Sequence, residues 1–193
     1  MNISARSSEL MNADDTAMLV VDVQEKLIPV IKGGPLIQWN IGRLLRAATI
    51  LNVPTAATEQ YPQGLGNTVL LDAPVPATIE EKCMFSCREA SSIFSGWSGT
   101  GVRKILICGI ETHVCIQQTV LDLLAQGFRI YIVTDAVGSR HEHDHQVALR
   151  RLESSGAVLT TTEAAMFEWC ETAESEAFKT ISRLVREDPP SNR

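Results

Sequence analysis

The feature that most limits what this chain can become is a set of short, unbroken apolar runs, AMLVV at 17–21 and ILIC at 105–108 among them. A strand with one wet face alternates apolar and polar residues, whereas a parallel strand covered by helices on both faces is apolar throughout. Between the runs the period changes. Ile37, Ile41, Leu44, Leu45, Ala48 and Leu51 are spaced by three and four behind Gly33, Gly34 and Pro35, which predicts a helix reaching about residue 51. The pattern then predicts strands at 53–58, 78–82, 104–109, 128–134 and 157–161. Helices fall at 90–94, 112–126 and 141–154, the last two stopped by Gly127 and Gly156, and further helices end before Pro189 and Pro190. The segment EQYPQGLGNTV at 59–69 reads as an irregular loop of the length that often holds ligands. Regular strand–helix alternation implies right-handed crossovers, hence a three-layer α/β/α sandwich around a mostly parallel, Rossmann-like six-stranded sheet. With 193 residues the chain has room for one such domain, expected over 13–187, with a polar N-terminal arm at 1–12 and a C-terminal tail at 188–193.

Charge narrows the partners. The net charge is −6 and no stretch is rich in Lys or Arg, so the positive field that nucleic acid or an anionic membrane requires is missing. The apolar runs are far below the ~18 residues of a membrane span. A small-molecule partner is the expectation. The first fifteen residues, MNISARSSELMNADD, lack a secretory apolar stretch, which points to the cytoplasm. Five cysteines, an odd number, then read as reduced thiols rather than a disulfide framework.

Open parallel sheets bind ligands beyond the carboxyl ends of their strands, where strand order reverses. Two polar signals stand at such ends: Asp22 after the first strand, and GIETHVC at 109–115 after the fourth. With Thr112 as N-cap, Cys115 falls in the first helical turn, where free N–H groups and the helix dipole favour a thiolate and a developing oxyanion. Cys108 lies inside an apolar strand, and Cys170 on a late helix has no acid or base near it in sequence. Read singly, Cys115 is also a buried helix residue, Asp22 a turn acceptor and Lys82 a solvated charge. Read together, a carboxylate, a cation and a thiol are the set that nucleophilic catalysis at an acyl centre uses.

The blocks MLVVDVQEKL (18–27), TEQYPQGLG (58–66), EKCMFS (81–86), ILICGIETHVCIQQT (105–119) and VTDAVGSR (133–140), in that order, resemble the isochorismatase-like cysteine hydrolases, a family that includes nicotinamidases and N-carbamoylsarcosine amidohydrolases. The resemblance covers nearly the whole chain. It implies a triad of Asp22 as general base, Lys82 as the cation beside it and Cys115 as nucleophile. It also implies a cis peptide between Ile110 and Glu111, and an oxyanion hole from the backbone N–H groups of Glu111 and Cys115. Nicotinamidases carry an Asp-x-His metal motif after the second strand where this chain has TEQYPQG, so nicotinamidase activity is not expected, and the cysteine-hydrolase reading calls for neither a metal nor an organic cofactor. Family members are commonly dimers or tetramers, and a homo-oligomer is expected here.

The expectation is a hydrolase of a small amide or related C–N substrate acting through a thioester. An isochorismatase-type vinyl-ether hydrolase, with Asp22 as proton donor, and a non-catalytic binding protein on the same fold are the alternatives. Gln24, Glu59, Gln60, Tyr61 and His113 are candidates to line the substrate pocket. The run HEHDH at 141–145 reads either as a metal cluster or, preferably, as the acidic first turn of a helix. Cys83 and Cys87 lack a second pair to complete four zinc ligands, and core packing is the reading for both.

Overall fold

The computed structural model describes residues 5–190, so residues 1–4 of the expected arm and 191–193 of the expected tail lie outside the described residues. Six strands form one parallel sheet: β1 (Thr16–Val21), β2 (Thr55–Gln60), β3 (Thr78–Lys82), β4 (Lys104–Ile110), β5 (Arg129–Gly138) and β6 (Val158–Thr160), in the order β3-β2-β1-β4-β5-β6. Strand order reverses between β1 and β4, which places the crevice of such a sheet beyond their carboxyl ends.

The unbroken apolar runs are explained by cover on both sides. Along β1, Met18 and Val20 enter one core, while Ala17, Leu19 and Val21 enter the other. β4 and β5 divide in the same period-two manner, Leu106, Cys108, Tyr131 and Val133 against Ile105, Ile107, Ile130 and Ile132. The first core is closed by α1 (Gly34–Ile50), α6 (Thr162–Cys170) and α7 (Phe178–Val185). The second is closed by α3 (Ser91–Gly99), α4 (Gln117–Ala125) and α5 (Glu142–Ser154), with a single turn, α2 (Pro62–Leu65), outside both layers. Among the described residues no helix is long and apolar enough to cross a membrane.

Three departures from the expected elements matter for the site. β2 runs on to Gln60 because Glu59 and Gln60 continue its register against Glu81 and Lys82, so the two belong to a strand rather than to the loop. β5 extends to Gly138 because a register shift after Ile107 lets Val137 and Gly138 pair with Gly109 and Ile110. Within the arm, Met11 is fully buried, the Tyr131 hydroxyl donates to the Glu9 carbonyl at 2.7 Å and Lys104 Nζ to the Leu10 carbonyl at 2.8 Å. The described part of the arm is therefore tied to β4 and β5.

Gly109 lies where β4 passes closest to β1. Its φ is +117°, and a Cβ there would sit 2.6 Å from the Val21 nitrogen and closer still to the Val21 carbonyl oxygen. Neither backbone can retreat without breaking the central ladder. Gly109→Ala is expected to cost about 3 kcal/mol or more, combining a disfavoured φ with overpacking. Urea denaturation measures it, and a loss below about 1 kcal/mol would contradict the close approach.

Candidate active site

The site is assembled by register. Val21 pairs with Thr58 on one side and Gly109 on the other, while Gln60 pairs with Lys82, so the ends of four strands meet at one level. Asp22 follows β1 directly, with φ +52°, a conformation that aspartate tolerates better than most residues, and its N–H donates to the Thr58 carbonyl at 3.1 Å. Its carboxylate is fully buried. Lys82 Nζ donates to Asp22 Oδ2 at 2.7 Å, and Thr58 Oγ1 donates to Asp22 Oδ1 at 2.8 Å. Burial raises the Asp22 pKa, and Lys82, the contact with Cys115 and the Thr58 hydroxyl only partly offset it.

Lys82 is enclosed by acceptors. Besides Asp22 it reaches Gln60 Oε1 at 2.8 Å and the carbonyls of Phe85 and Met84 at 3.1 and 3.3 Å. Four acceptors around three ammonium protons suit only the charged form. Burial alone lowers the lysine, but Asp22, with smaller contributions from Cys87 and Cys115, overrides it and the net shift is upward.

Cys115 lies near the same carboxylate, close enough for the Asp22 charge and the thiol to shift each other. The expectation about its helix is corrected. The N-cap is Glu111, in extended conformation, and residues Thr112–Ile116 form a π-type turn ahead of α4. Thr112 is inside that turn, and its hydroxyl bonds His145 Nδ1 at 2.9 Å instead of capping. Val114 and Ile116 both donate to the Glu111 carbonyl, at 3.1 and 3.2 Å, with Cys115 between them. The peptide bond between Ile110 and Glu111 is cis. The thiol is also not acidic at rest: burial raises it most, the Asp22 charge raises it further, and Lys82 only partly opposes them. An N-terminal turn cannot lower a thiol that a carboxylate faces directly at closer range.

The expected pocket residues divide. Gln24 and Gln60 clamp each other: Gln24 Nε2 donates to the Gln60 and Gly66 carbonyls at 3.0 and 2.7 Å, and its Oε1 accepts the Gln60 N–H at 2.8 Å. Gln60 Nε2 donates to the Cys83 carbonyl at 2.8 Å, and Glu59 Oε1 accepts the Thr68 N–H at 2.6 Å. All three are buried and hold backbone in place, and Gln60 also accepts from Lys82. Tyr61 is exposed at the edge, and half-buried His113 bonds the Ser139 hydroxyl at 3.0 Å. Glu111 accepts from Arg140 Nε at 3.2 Å and from its N–H at 2.9 Å, tying the end of β4 to the loop after β5.

Of the remaining cysteines, Cys87, Cys108 and Cys170 are buried, but Cys83 is exposed, which corrects the reading of both members of its pair as core. The end of β3 turns outward there, and Glu89 holds the N–H groups of Cys83 and Met84 at 2.8 and 2.6 Å. The run at 141–145 begins α5 with Glu142 and Asp144 in its first turn. No group of three or more His, Cys, Asp and Glu among the described residues is gathered as a metal would need. Thr58 and Cys87 stand beside the triad positions without having been singled out from sequence. Thr58 is legible in retrospect from the rule that strand ends flank the crevice, whereas the sequence reads Cys87 only as a core residue paired in spacing with Cys83.

The fold and the site together define a parallel α/β protein with an acid, an ammonium and a thiol buried at its switch point. The chain belongs to the isochorismatase family, whose isochorismatase domain matches residues 16–164. Isochorismatase domain-containing protein 1 of Salmo salar is 38% identical over 180 residues, which cover 92% of this chain and 63% of the relative, so the chain spans less than two thirds of that relative's length. A solved structure described as the MAR1 ribonuclease of Caenorhabditis elegans superposes with a TM-score of 0.86 at 37% identity, covering 94% of each chain. The YcaC gene product of Escherichia coli, described as an octameric hydrolase of unknown specificity, matches in fold at a TM-score of 0.80 and 24% identity, covering 93% of this chain and 91% of that one.

Proposed function

We propose that this protein is a cysteine hydrolase that cleaves a small amide or related C–N bond with Asp22, Lys82 and Cys115. The observation that carries the reading is the buried pair of Asp22 and Lys82 at 2.7 Å with Cys115 near enough for both charges to act on its thiol. In the resting protein the proton stays on sulfur. As a carbonyl carbon arrives, Asp22 takes that proton, sulfur forms the new bond to carbon, and the carbonyl electron pair moves to oxygen. Collapse of this intermediate expels the amine, which receives the proton from Asp22, and leaves a thioester that water hydrolyses. The raised pKa of Asp22 makes it a stronger base than an ordinary carboxylate, and Lys82 keeps it ionised.

The oxyanion falls to the backbone N–H groups of Glu111 and Cys115. The Glu111 N–H has no acceptor among the described residues, and the Glu111 carbonyl passes over Cys115 to take Val114 and Ile116, which supports that assignment. The homo-oligomer expected from the family, a dimer or tetramer, is retained as part of this reading. The ribonuclease description of the nematode neighbour is not carried across, because a net charge of −6 without a Lys/Arg-rich run does not favour a polyanionic substrate.

The test is to incubate the protein with a panel of small amides and ureides, with isochorismate, and with single-stranded RNA. Each reaction is quenched in acid for peptide mass spectrometry. The expected result is ammonia or amine release from a member of the amide or ureide set, with an acyl adduct on Cys115 alone. RNA cleavage without such an adduct would overturn the reading.

A further inference from the structure

The general base has a second set of partners that the reaction above does not use. Thr58 has one hydroxyl proton, and it goes to Asp22 Oδ1 at 2.8 Å. Its oxygen also lies 3.4 Å from Cys87 Sγ, and since the hydroxyl proton is already committed, the thiol must be the donor in that contact. Cys87 is fully buried and its pKa is raised to about 11, chiefly by burial and then by the Asp22 charge, so the S–H proton is present at neutral pH. Its position is fixed by the Cys87 N–H, which donates at 2.9 Å to Thr119 Oγ1. That hydroxyl in turn donates to the Cys115 carbonyl at 2.6 Å. Among the described residues the side chains acting on the Asp22 carboxylate are Lys82 from β3, Thr58 from β2 and Cys115 from the π-type turn, with Cys87 behind Thr58 from the turn Cys87–Glu89.

We propose that Cys87 and Thr58 form an ordered donor chain, S–H to O–H to carboxylate, which makes Thr58 the positioning residue that keeps the base Asp22 ionised and aimed at Cys115. Burial that raises a carboxylate favours its protonated form, and each donor to a carboxylate oxygen opposes that. Lys82 serves one oxygen and Thr58 the other. Because the Thr58 hydroxyl accepts from Cys87 while donating to Asp22, the two bonds polarise in the same direction and strengthen each other. The inference rests on Asp22 acting as the base.

The test needs no knowledge of the substrate. The rate of Cys115 alkylation by iodoacetamide is followed by peptide mass spectrometry between acidic and neutral pH, in the wild type and in Thr58→Val, Thr58→Ser and Cys87→Ala, with circular dichroism to confirm folding. The wild-type rate is expected to fall on an acidic limb as Asp22 is protonated. In Thr58→Val the limb moves up by roughly one pH unit, so the rate on the limb drops about tenfold, the scale of one lost hydrogen bond to a charged group. Thr58→Ser restores the wild-type position, and Cys87→Ala moves the limb upward by a smaller step, about twofold in rate. A purely structural loss would lower the rate equally at every pH. A limb that stays in place in folded Thr58→Val overturns the donor chain, as does a Cys87→Ala profile that superposes on the wild type should the valine variant not fold. A wild-type profile with no acidic limb would instead overturn Asp22 as the base.

Discussion

Cys115→Ala is expected to abolish turnover of any amide found in the substrate panel, by a factor on the order of 10⁴ or more, while leaving the fold in place. The size follows from the role: without sulfur there is no covalent intermediate, and the acid and ammonium that remain have nothing to activate. The small structural cost follows from the location. Cys115 is 6% exposed at the edge of the core formed with α3, α4 and α5, and the backbone of its turn is held by Glu111 and Thr119, not by the thiol. Losing one sulfur atom there costs about 1 kcal/mol, which thermal unfolding reads as a shift of a few degrees. The measurement is steady-state turnover of wild type and variant at equal concentrations of folded protein, beside a melting curve. Retention of more than a hundredth of the activity would reject covalent catalysis. Undiminished turnover of isochorismate by the variant would move the assignment to vinyl-ether hydrolysis with Asp22 as proton donor.

The sheet and its layers are legible in the sequence because burial on both faces writes itself directly into residue type. AMLVV and ILIC admit no polar residue, and the residues that alternate between the two cores in β1, β4 and β5 are all apolar. Strand ends are less legible. Glu59 and Gln60 are polar because their side chains bond the Thr68 N–H, the Cys83 carbonyl and the Lys82 ammonium at the sheet end, and polarity of that kind cannot be told from loop polarity without the register. The same limit applies to the helix start: Thr112 looks like a cap, but its hydroxyl is taken by His145, thirty-three residues away. The positions of Asp22, Lys82 and Cys115 follow from strand ends and from family resemblance, whereas the electrostatics do not. Proximity to a helix start predicts an acidic thiol, and only the three-dimensional arrangement reveals that burial first, and then the Asp22 charge, reverse the sign.

That reversal gives the second large effect a form that separates acidity from reactivity. In Asp22→Asn, turnover is expected to fall on the order of 10⁴-fold, nearly as far as in Cys115→Ala, because a base and its nucleophile act as a unit. The Cys115 thiol is nevertheless expected to titrate at lower pH than in the wild type. Burial, which raises it most, is unchanged by the substitution, but the Asp22 charge, which raises it further, disappears. Lys82, which lowers it, remains and has lost its nearest anion, so a thiolate becomes the natural counter-ion for the ammonium. Asparagine keeps an oxygen for the Lys82 or Thr58 donor, which limits the penalty of leaving a buried cation unpaired, ~3 to 5 kcal/mol where no replacement exists. The titration is followed by ultraviolet thiolate absorbance, in a background where Cys83 is replaced by serine to remove the exposed thiol. A variant with a more acidic thiol and no turnover shows that the reaction needs a group able to take the proton and return it to the leaving amine. A thiol titrating at the wild-type pH or higher would mean that the carboxylate does not hold the proton on sulfur, and an active variant would mean that Asp22 is not the base.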